Sequence, residues 1–311
     1  MAEKLPKIIT VVGPTASGKT ALGIFLAQKF GGEIISVDSR QIYKGMDIGT
    51  AKVIGEKKMD ANSREYFEVE GIAHYGIDLV EPDKVFSVAD FKNYALNVIK
   101  EILARGHVPI LVGGTGFYIQ AIVENLDIPK LAPDLALRQE LEKKDLAILV
   151  KQLQEVDPDS FAKIDLQNKR RVVRALEVVL TTGESFAGNW KRGDKLFEVK
   201  QIGVMQPREI LYKRIDDRVE EQIKLGLVEE TKKLIEKWYK WSLPSMSGIG
   251  YKEIGMFLRG EITLDRAKEL IKFRTHDYAR RQITWFNKEK GIEWVKDEEG
   301  AGKMVQDFLS K

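Results

Sequence analysis

The residues Gly13-Pro14-Thr15-Ala16-Ser17-Gly18-Lys19-Thr20 fit the pattern G-x-x-x-x-G-K-[ST]. In that pattern successive backbone N–H groups and a helix N-terminus collect an anion. The lysine adds a point charge, and the final hydroxyl, here Thr20, is placed to hold Mg²⁺. A second candidate is Asp38, which follows the apolar run Glu33-Ile34-Ile35-Ser36-Val37 and opens Asp38-Ser39-Arg40-Gln41. Open α/β sheets hold their sites at the carboxyl ends of their strands, so this carboxylate is expected at the same edge as the phosphate loop. Arginines at helical spacing form a third group. Arg214 and Arg218 lie one turn apart, as do Arg170 and Arg174, with Lys169 and Arg171 beside them and Lys191, Arg192 and Lys195 further on. Such runs are either a solvated face or a clamp on phosphates, and spacing alone leaves both open.

The elements that must position these groups follow from hydrophobic periodicity. Lys7–Val12 is a short β-branched run suited to a buried parallel strand, and residues 21–30 place apolar side chains at helical spacing. Strand, glycine loop and helix are the context that makes the motif a phosphate cradle. Residues 33–37 are a second strand, residues 43–52 an ordered loop, and residues 55–70 a surface loop or short helix. Residues 74–80 are strand-like. Ser87 is a predicted N-cap for a helix ending near Gly106, followed by a strand at Val108–Val112, then Gly113-Gly114-Thr115-Gly116 and a helix from Phe117. The pattern predicts a P-loop NTPase-like α/β core, a doubly wound parallel sheet formed by residues 1–125 and 197–311. A helical insertion domain at 126–196 interrupts it, and the C-terminal region is helical. In that region helices are expected at 208–225, 227–241 and 263–286, with Trp238, Tyr239 and Trp241 in the core and Ser247–Lys252 as a glycine-broken turn.

What is missing also counts. Nucleotide-hydrolysing members of this class usually carry an acid at a strand end to hold Mg²⁺, whereas Val108–Val112 runs into Gly113-Gly114-Thr115. A transferase in which Asp38 does other work fits better than a hydrolytic motor. The chain has 311 residues, 43% of them apolar, enough for a sizeable core. With no cysteine, disulfides, zinc-thiolate sites and cysteine nucleophiles are excluded; the three histidines lack metal-ligand spacing. A net charge of +3 permits a nucleic-acid partner without arguing for one. No segment looks like a signal or approaches the ~18 apolar residues of a membrane span, so a cytoplasmic protein is expected.

Taken together, GPTASGKT, ISVDSRQIYKGMDIGTAK, VPILVGGTGFY, RVVRALEV, SGIGYKE and RRQITWF resemble the bacterial tRNA dimethylallyltransferases, also called tRNA isopentenyltransferases. The resemblance runs from residue 8 to residue 286. It implies transfer of a dimethylallyl group from dimethylallyl diphosphate to N6 of the adenosine 3′ of the anticodon, with Mg²⁺, by a monomer acting on the tRNA anticodon stem-loop. It implies that Gly13, Thr15, Ala16, Ser17, Gly18, Lys19 and Thr20 hold the donor's diphosphate. Asp38 then accepts the N6 proton, with Thr115 and Arg218 as catalytic-site residues. The implied tRNA contacts are Asp38, Ser39, Arg40, Gln41, Arg170, Arg171, Arg174, Ser247, Gly250, Tyr251, Lys252, Arg280, Arg281 and Gln282. The zinc element of eukaryotic relatives is absent from the sequence.

Three other readings compete. A small-molecule kinase would use the same loop with Asp38 as base. An adenylate isopentenyltransferase would share the donor site without an RNA surface, which the long C-terminal region carrying RRQITWF disfavours. A phosphate-loop switch that binds RNA without chemistry leaves the strand-end Asp38 unexplained.

Overall fold

The alternating β-branched runs of this chain assemble into one mixed sheet in the computed structural model, which describes residues 4–128, 134–187 and 192–311. In chain order β1 (Lys7–Val12), α1 (Lys19–Phe30) and β2 (Gly32–Val37) come first, followed by β3 (Glu56–Met59), β4 (Glu65–Val69) and β5 (Ile72–Tyr75). Then α2 (Val88–Ala104), β6 (Val108–Gly113) and α3 (Gly116–Val123) complete the first half. The helices α4 (Leu135–Lys143), α5 (Leu146–Val156), α6 (Pro158–Lys163) and α7 (Lys169–Thr182) precede β7 (Glu198–Val204). The C-terminal part holds α8 (Arg208–Lys224), α9 (Leu227–Glu236), α10 (Tyr251–Leu258), α11 (Leu264–Phe286), β8 (Ile292–Val295) and α12 (Glu298–Leu309).

The strand order is β3-β4-β5-β2-β6-β1-β7-β8. From β5 to β8 every neighbouring pair is parallel; the β3–β4–β5 edge is antiparallel. Alternation along each strand feeds two cores. Ile8 and Val12 of β1, Ile35 and Val37 of β2 and Leu111 of β6 pack with α2, α3 and the helices after β7. Ile9, Val11, Ile34, Ile110 and Val112 face the other way, against α1 and α12. This is the doubly wound arrangement that the βαβ repetition predicts, with the loops after β1, β2 and β6 at one edge.

The chain divides into two compact units, Met1–Val123 with Leu196–Lys311, and Glu124–Lys195. The second unit has its own small core of Leu141, Leu149, Leu153, Val172, Val173 and Leu176.

Local signals explain most helix ends. Ser87 accepts from the Asp90 N–H while the Asp90 carboxylate accepts from Ser87 N–H, a reciprocal cap at the start of α2. Three expectations fail. Residues 55–70 form the β3–β4 hairpin instead of a loop or helix. It is a charged edge pair, and edge strands that carry charge to prevent further pairing look like surface loop in sequence. The strand expected at 74–80 ends at Tyr75. Trp238 is not core: α9 stops at Glu236, and Trp238, at φ +66°, is 90% exposed. Tyr239 and Trp241 do pack against the core.

Candidate active site

The phosphate loop starts where β1 meets β7. Gly13 leaves the strand at φ +151°, and a Cβ there would sit 2.3 Å from the Val204 carbonyl oxygen, so only glycine fits. Gly18, also left-handed, precedes α1, and no side chain caps that helix. Its first N–H groups and the positive end of its dipole therefore face the loop's concavity. Lys19 donates its Nζ–H to the Pro14 carbonyl at 2.6 Å. Burial pushes its pKa down to about 8; the Asp38 charge opposes that shift and Arg218 adds to it. Arg214 reaches the same loop, its Nη1 lying 4.0 Å from the position of a Cβ on Gly18. The Arg218 pKa is also lowered, mainly by desolvation, with Glu221 opposing and Arg214 adding. Neither guanidinium has a carboxylate ion-pair partner among the described residues. Three basic side chains thus converge on the loop and the uncapped start of α1, an arrangement suited to an anion.

Asp38 stands at the end of β2. Its Oδ1 accepts from the N–H of Arg40 at 2.8 Å and of Gln41 at 3.3 Å, which fixes the side chain on its own turn. No described residue donates to Oδ2, which leaves that oxygen open to take a proton. Thr115, just past β6, accepts from the Ser39 N–H at 3.2 Å and so ties the two strand ends together. Tyr278 of α11 completes the group. Burial raises its pKa and Asp38 adds to the rise, while Arg40, a hydrogen bond with Thr115 and Arg281 oppose it.

The loop after Asp38 is anchored at several points. Arg40 donates to the Pro244 carbonyl at 2.6 Å and to Ser247 Oγ at 3.3 Å, joining two of the predicted tRNA-contacting stretches. Gln41 accepts from Ser36 Oγ and donates to the Thr50 and Ala51 carbonyls. Glu230 accepts from the N–H groups of Asp47, Ile48 and Gly49 at 3.0, 2.8 and 3.1 Å, and from the Tyr251 hydroxyl at 2.6 Å. The Tyr251 side chain, 1% exposed, is therefore committed to the interior. Gly250 donates to Glu253, whose buried carboxylate also pairs with Arg274. Lys252 is exposed and has no partner among the described residues. Arg280 and Arg281 are exposed as well; Arg280 pairs with Asp277, and Arg281 lies over the Tyr278 ring. Gln282 points inward, to the N–H of Thr15.

Sequence reasoning missed Tyr278, Glu230 and the inward direction of Gln282. A faint signal existed for α11, because Arg274, Tyr278 and Gln282 recur every four residues along one face.

In the insertion unit the basic run of α7 splits by function. Arg170 and Arg171 are exposed and their guanidinium groups have no partner among the described residues. Arg174 donates to Glu177 at 2.8 Å, and this fully buried carboxylate also takes Arg138 at 2.7 Å and the Asp134 N–H at 2.9 Å. Lys191 lies outside the described residues, and Arg192 pairs with Glu124 at 2.9 Å.

Among the described residues no cluster of three or more acidic, histidine or cysteine side chains has metal-site geometry, and no helix is long and apolar enough to cross a membrane.

Comparison with known proteins gives a consistent answer. A family model described as IPP transferase matches residues 41–289. The chain is 41% identical to the tRNA dimethylallyltransferase of Moorella thermoacetica, covering 98% of this chain and 95% of the relative. It is 45% identical to that of Geobacillus thermodenitrificans, covering 93% of this chain and 90% of the relative. Among solved structures, the full-length tRNA isopentenylpyrophosphate transferase of Bacillus halodurans is similar at 36% identity and a TM-score of 0.69, over 98% of this chain and 95% of that one. A eukaryotic dimethylallyltransferase acting on tRNA is similar at 29% identity and a TM-score of 0.76, over 98% and 80%.

Proposed function

This chain belongs to the IPP transferase family, and we propose that it transfers a dimethylallyl group from dimethylallyl diphosphate to N6 of the adenosine 3′ of the anticodon in tRNA. The observation that carries this reading is the meeting, at one sheet edge, of an anion cradle lined by Lys19, Arg214 and Arg218 with the open Oδ2 of Asp38. A leaving-group site thus stands beside a base.

An exocyclic adenine amine is a weak nucleophile because its lone pair is delocalised into the ring. As N6 forms its bond to the allylic C1, the C1–O bond breaks and its electron pair leaves with the diphosphate. The loop donors nearest Lys19, at the start of α1, with Lys19 and Arg218, stabilise that growing charge. The N6 proton passes to Asp38 Oδ2, help typically worth about 10²–10⁴-fold. Thr115, held against the Ser39 N–H, keeps the Asp38 turn facing the donor.

Prenyltransferases commonly use a divalent cation, and the reading takes Mg²⁺. The Thr20 hydroxyl, exposed at the mouth of the loop and unpartnered among the described residues, suits a hard ion that brings most of its oxygen ligands from diphosphate and water. When bound, the ion would offset charge on the departing diphosphate.

For tRNA, the exposed Arg170, Arg171, Lys252, Arg280 and Arg281 supply phosphate contacts. Ser39, Arg40, Gln41, Ser247, Gly250 and Tyr251 form or brace the surface that receives the anticodon loop. The target base is flipped out of its stack to reach Asp38. The enzyme is taken to act as a monomer in the cytoplasm.

The test is incubation with unmodified tRNA, Mg²⁺ and dimethylallyl diphosphate, followed by nucleoside mass spectrometry. Prenylated adenosine is expected from the parent protein. Asp38→Ala is expected to form none while still binding tRNA in a gel-shift assay. Near-parental turnover in that variant would remove Asp38 from the role of base.

A further inference from the structure

Gln282 lies on α11, one turn beyond Tyr278, and is 6% exposed. Both ends of its side-chain amide are used within the protein. Oε1 accepts from the Thr15 N–H at 2.8 Å, and Nε2 donates to the Gly114 carbonyl at 2.9 Å. The fit is close: a Cβ on residue 114 would stand 2.2 Å from Nε2, so a larger residue there would displace the amide. A planar primary amide is the uncharged side-chain group that presents an acceptor at one corner and a donor at the other. Its loss would leave two groups without these partners, the Thr15 N–H and the buried Gly114 carbonyl.

The two bonded segments are the two halves of the site. Thr15 belongs to the phosphate loop. Gly114 precedes Thr115, whose hydroxyl receives the Ser39 N–H beside Asp38. The Thr15 N–H, spent on Gln282, is also withdrawn from the anion cradle, which leaves the donors nearer Lys19 to hold the ligand. Arg281 and Arg280, the neighbours of Gln282, are exposed.

We propose that Gln282 is a positioning residue that sets the phosphate loop against the Asp38–Thr115 edge, acting through the Thr15 N–H and the Gly114 carbonyl and not through tRNA. The proposal rests on the reading of the loop as the donor site.

Gln282→Glu tests it through pH. A protonated carboxyl group reproduces the amide, accepting from Thr15 and donating to Gly114. An ionised one loses the donor and sets an anionic oxygen against a carbonyl. Turnover of Gln282→Glu, divided by that of the parent at the same pH, is expected to approach the parent at low pH and to fall about tenfold or more as the new carboxyl ionises. Gln282→Met is expected to be impaired at every pH. In both, the loss should appear in kcat or in KM for dimethylallyl diphosphate, with tRNA affinity unchanged. A flat Gln282→Glu ratio across pH, or a loss confined to tRNA affinity, would overturn the proposal. Failure of the donor-site reading is distinguishable, because the parent itself would then form no prenylated adenosine. Calorimetric binding of inorganic diphosphate to parent and Gln282→Glu across the same pH range would still read the role of Gln282 in shaping the loop. Affinity that stays level with the parent there would overturn it too.

Discussion

Lys19 shows how one residue's surroundings set its chemistry. The loop motif calls for a cation at this place, yet burial holds the Lys19 pKa at about 8, with Arg218 adding to the shift against the pull of Asp38. The Lys19 ammonium donates to the Pro14 carbonyl. A diphosphate that displaces this contact supplies negative charge and raises the lysine pKa. On the proposed donor role the protonated form is the one that binds, so donor affinity is expected to be full below about pH 8 and to be lost as pH rises toward the bound-state pKa, approaching about tenfold per pH unit. The expected result is a KM for dimethylallyl diphosphate that climbs from about pH 8 upward, with Lys19→Met weak and insensitive to pH over the same range. A parental KM that is level across this range would mean that the buried lysine is not the group reading the donor's charge. The same scale sorts the aromatic residues. The sequence puts Trp238 in the core and Tyr251 in a turn implied to contact tRNA, but the tyrosine is sealed against Glu230 and the tryptophan stands in solvent.

Helix α7 makes the corresponding point for an element. Its basic residues read as one run, yet its apolar face turns Arg174 toward the buried Glu177 and leaves Arg170 and Arg171 in solvent. Different assays should therefore separate them. Replacing Arg170 and Arg171 by glutamine is expected to weaken tRNA binding and to flatten its dependence on log salt, by about 0.7–0.9 for each phosphate that the pair would otherwise neutralise. Unchanged salt dependence would return the two residues to an ordinary solvated face. Arg174→Gln should act on stability instead. Removing one partner of a buried ion costs up to about 3–5 kcal/mol, less here because Arg138 still reaches Glu177. A lower urea midpoint with an unchanged salt slope is the expected pattern. Periodicity revealed that α7 exists, which face is apolar and that Arg174 lies one turn from Glu177, but not that Arg138 of α4 meets the same carboxylate, because those two come from different helices.

Across the whole molecule, the sheet separates chemistry from anchoring. The loops after β1, β2 and β6 carry the candidate site at the carboxyl ends of the strands. At the opposite ends, Glu33 of β2 accepts two hydrogen bonds from Arg105 at the end of α2, at 3.0 and 2.8 Å, and lies 2.6 Å from His107 Nδ1 just before β6. Burial alone would raise the Glu33 pKa, but the hydrogen bonds from Arg105 and His107, with the Arg105 charge, prevail and lower it. A depressed carboxyl pKa contributes stability that is present above the unfolded-state value and lost as pH falls through the folded-state value. Glu33→Gln is expected to cost about 1.5–3 kcal/mol at neutral pH, measured by urea unfolding, with the parent and variant curves converging in acid. Donor KM should stay at the parental value, since the cluster lies at the far end of the strands. Curves that remain equally separated in acid would mean that the carboxylate's charge contributes nothing.

The P-loop core, the strand-end Asp38 and the run of basic residues were legible because each is a local pattern. Strand, loop and helix are covalently adjacent, and burial imposes periods of 2 and 3.6 on neighbouring residues. The β3–β4 edge was not legible, since strands that protect an edge with charge lack the pattern that burial writes. What only the tertiary structure decided were the partners of polar side chains. The Gln282 that holds the Thr15 N–H is 267 residues away, and the Glu230 that fixes the 47–49 turn is 181 residues from Gly49. No spacing rule spans such distances. A hydrogen bond is chosen by which donors and acceptors meet once the apolar faces have packed, and that meeting turned a glutamine that the resemblance assigns to tRNA into a partner of the phosphate loop.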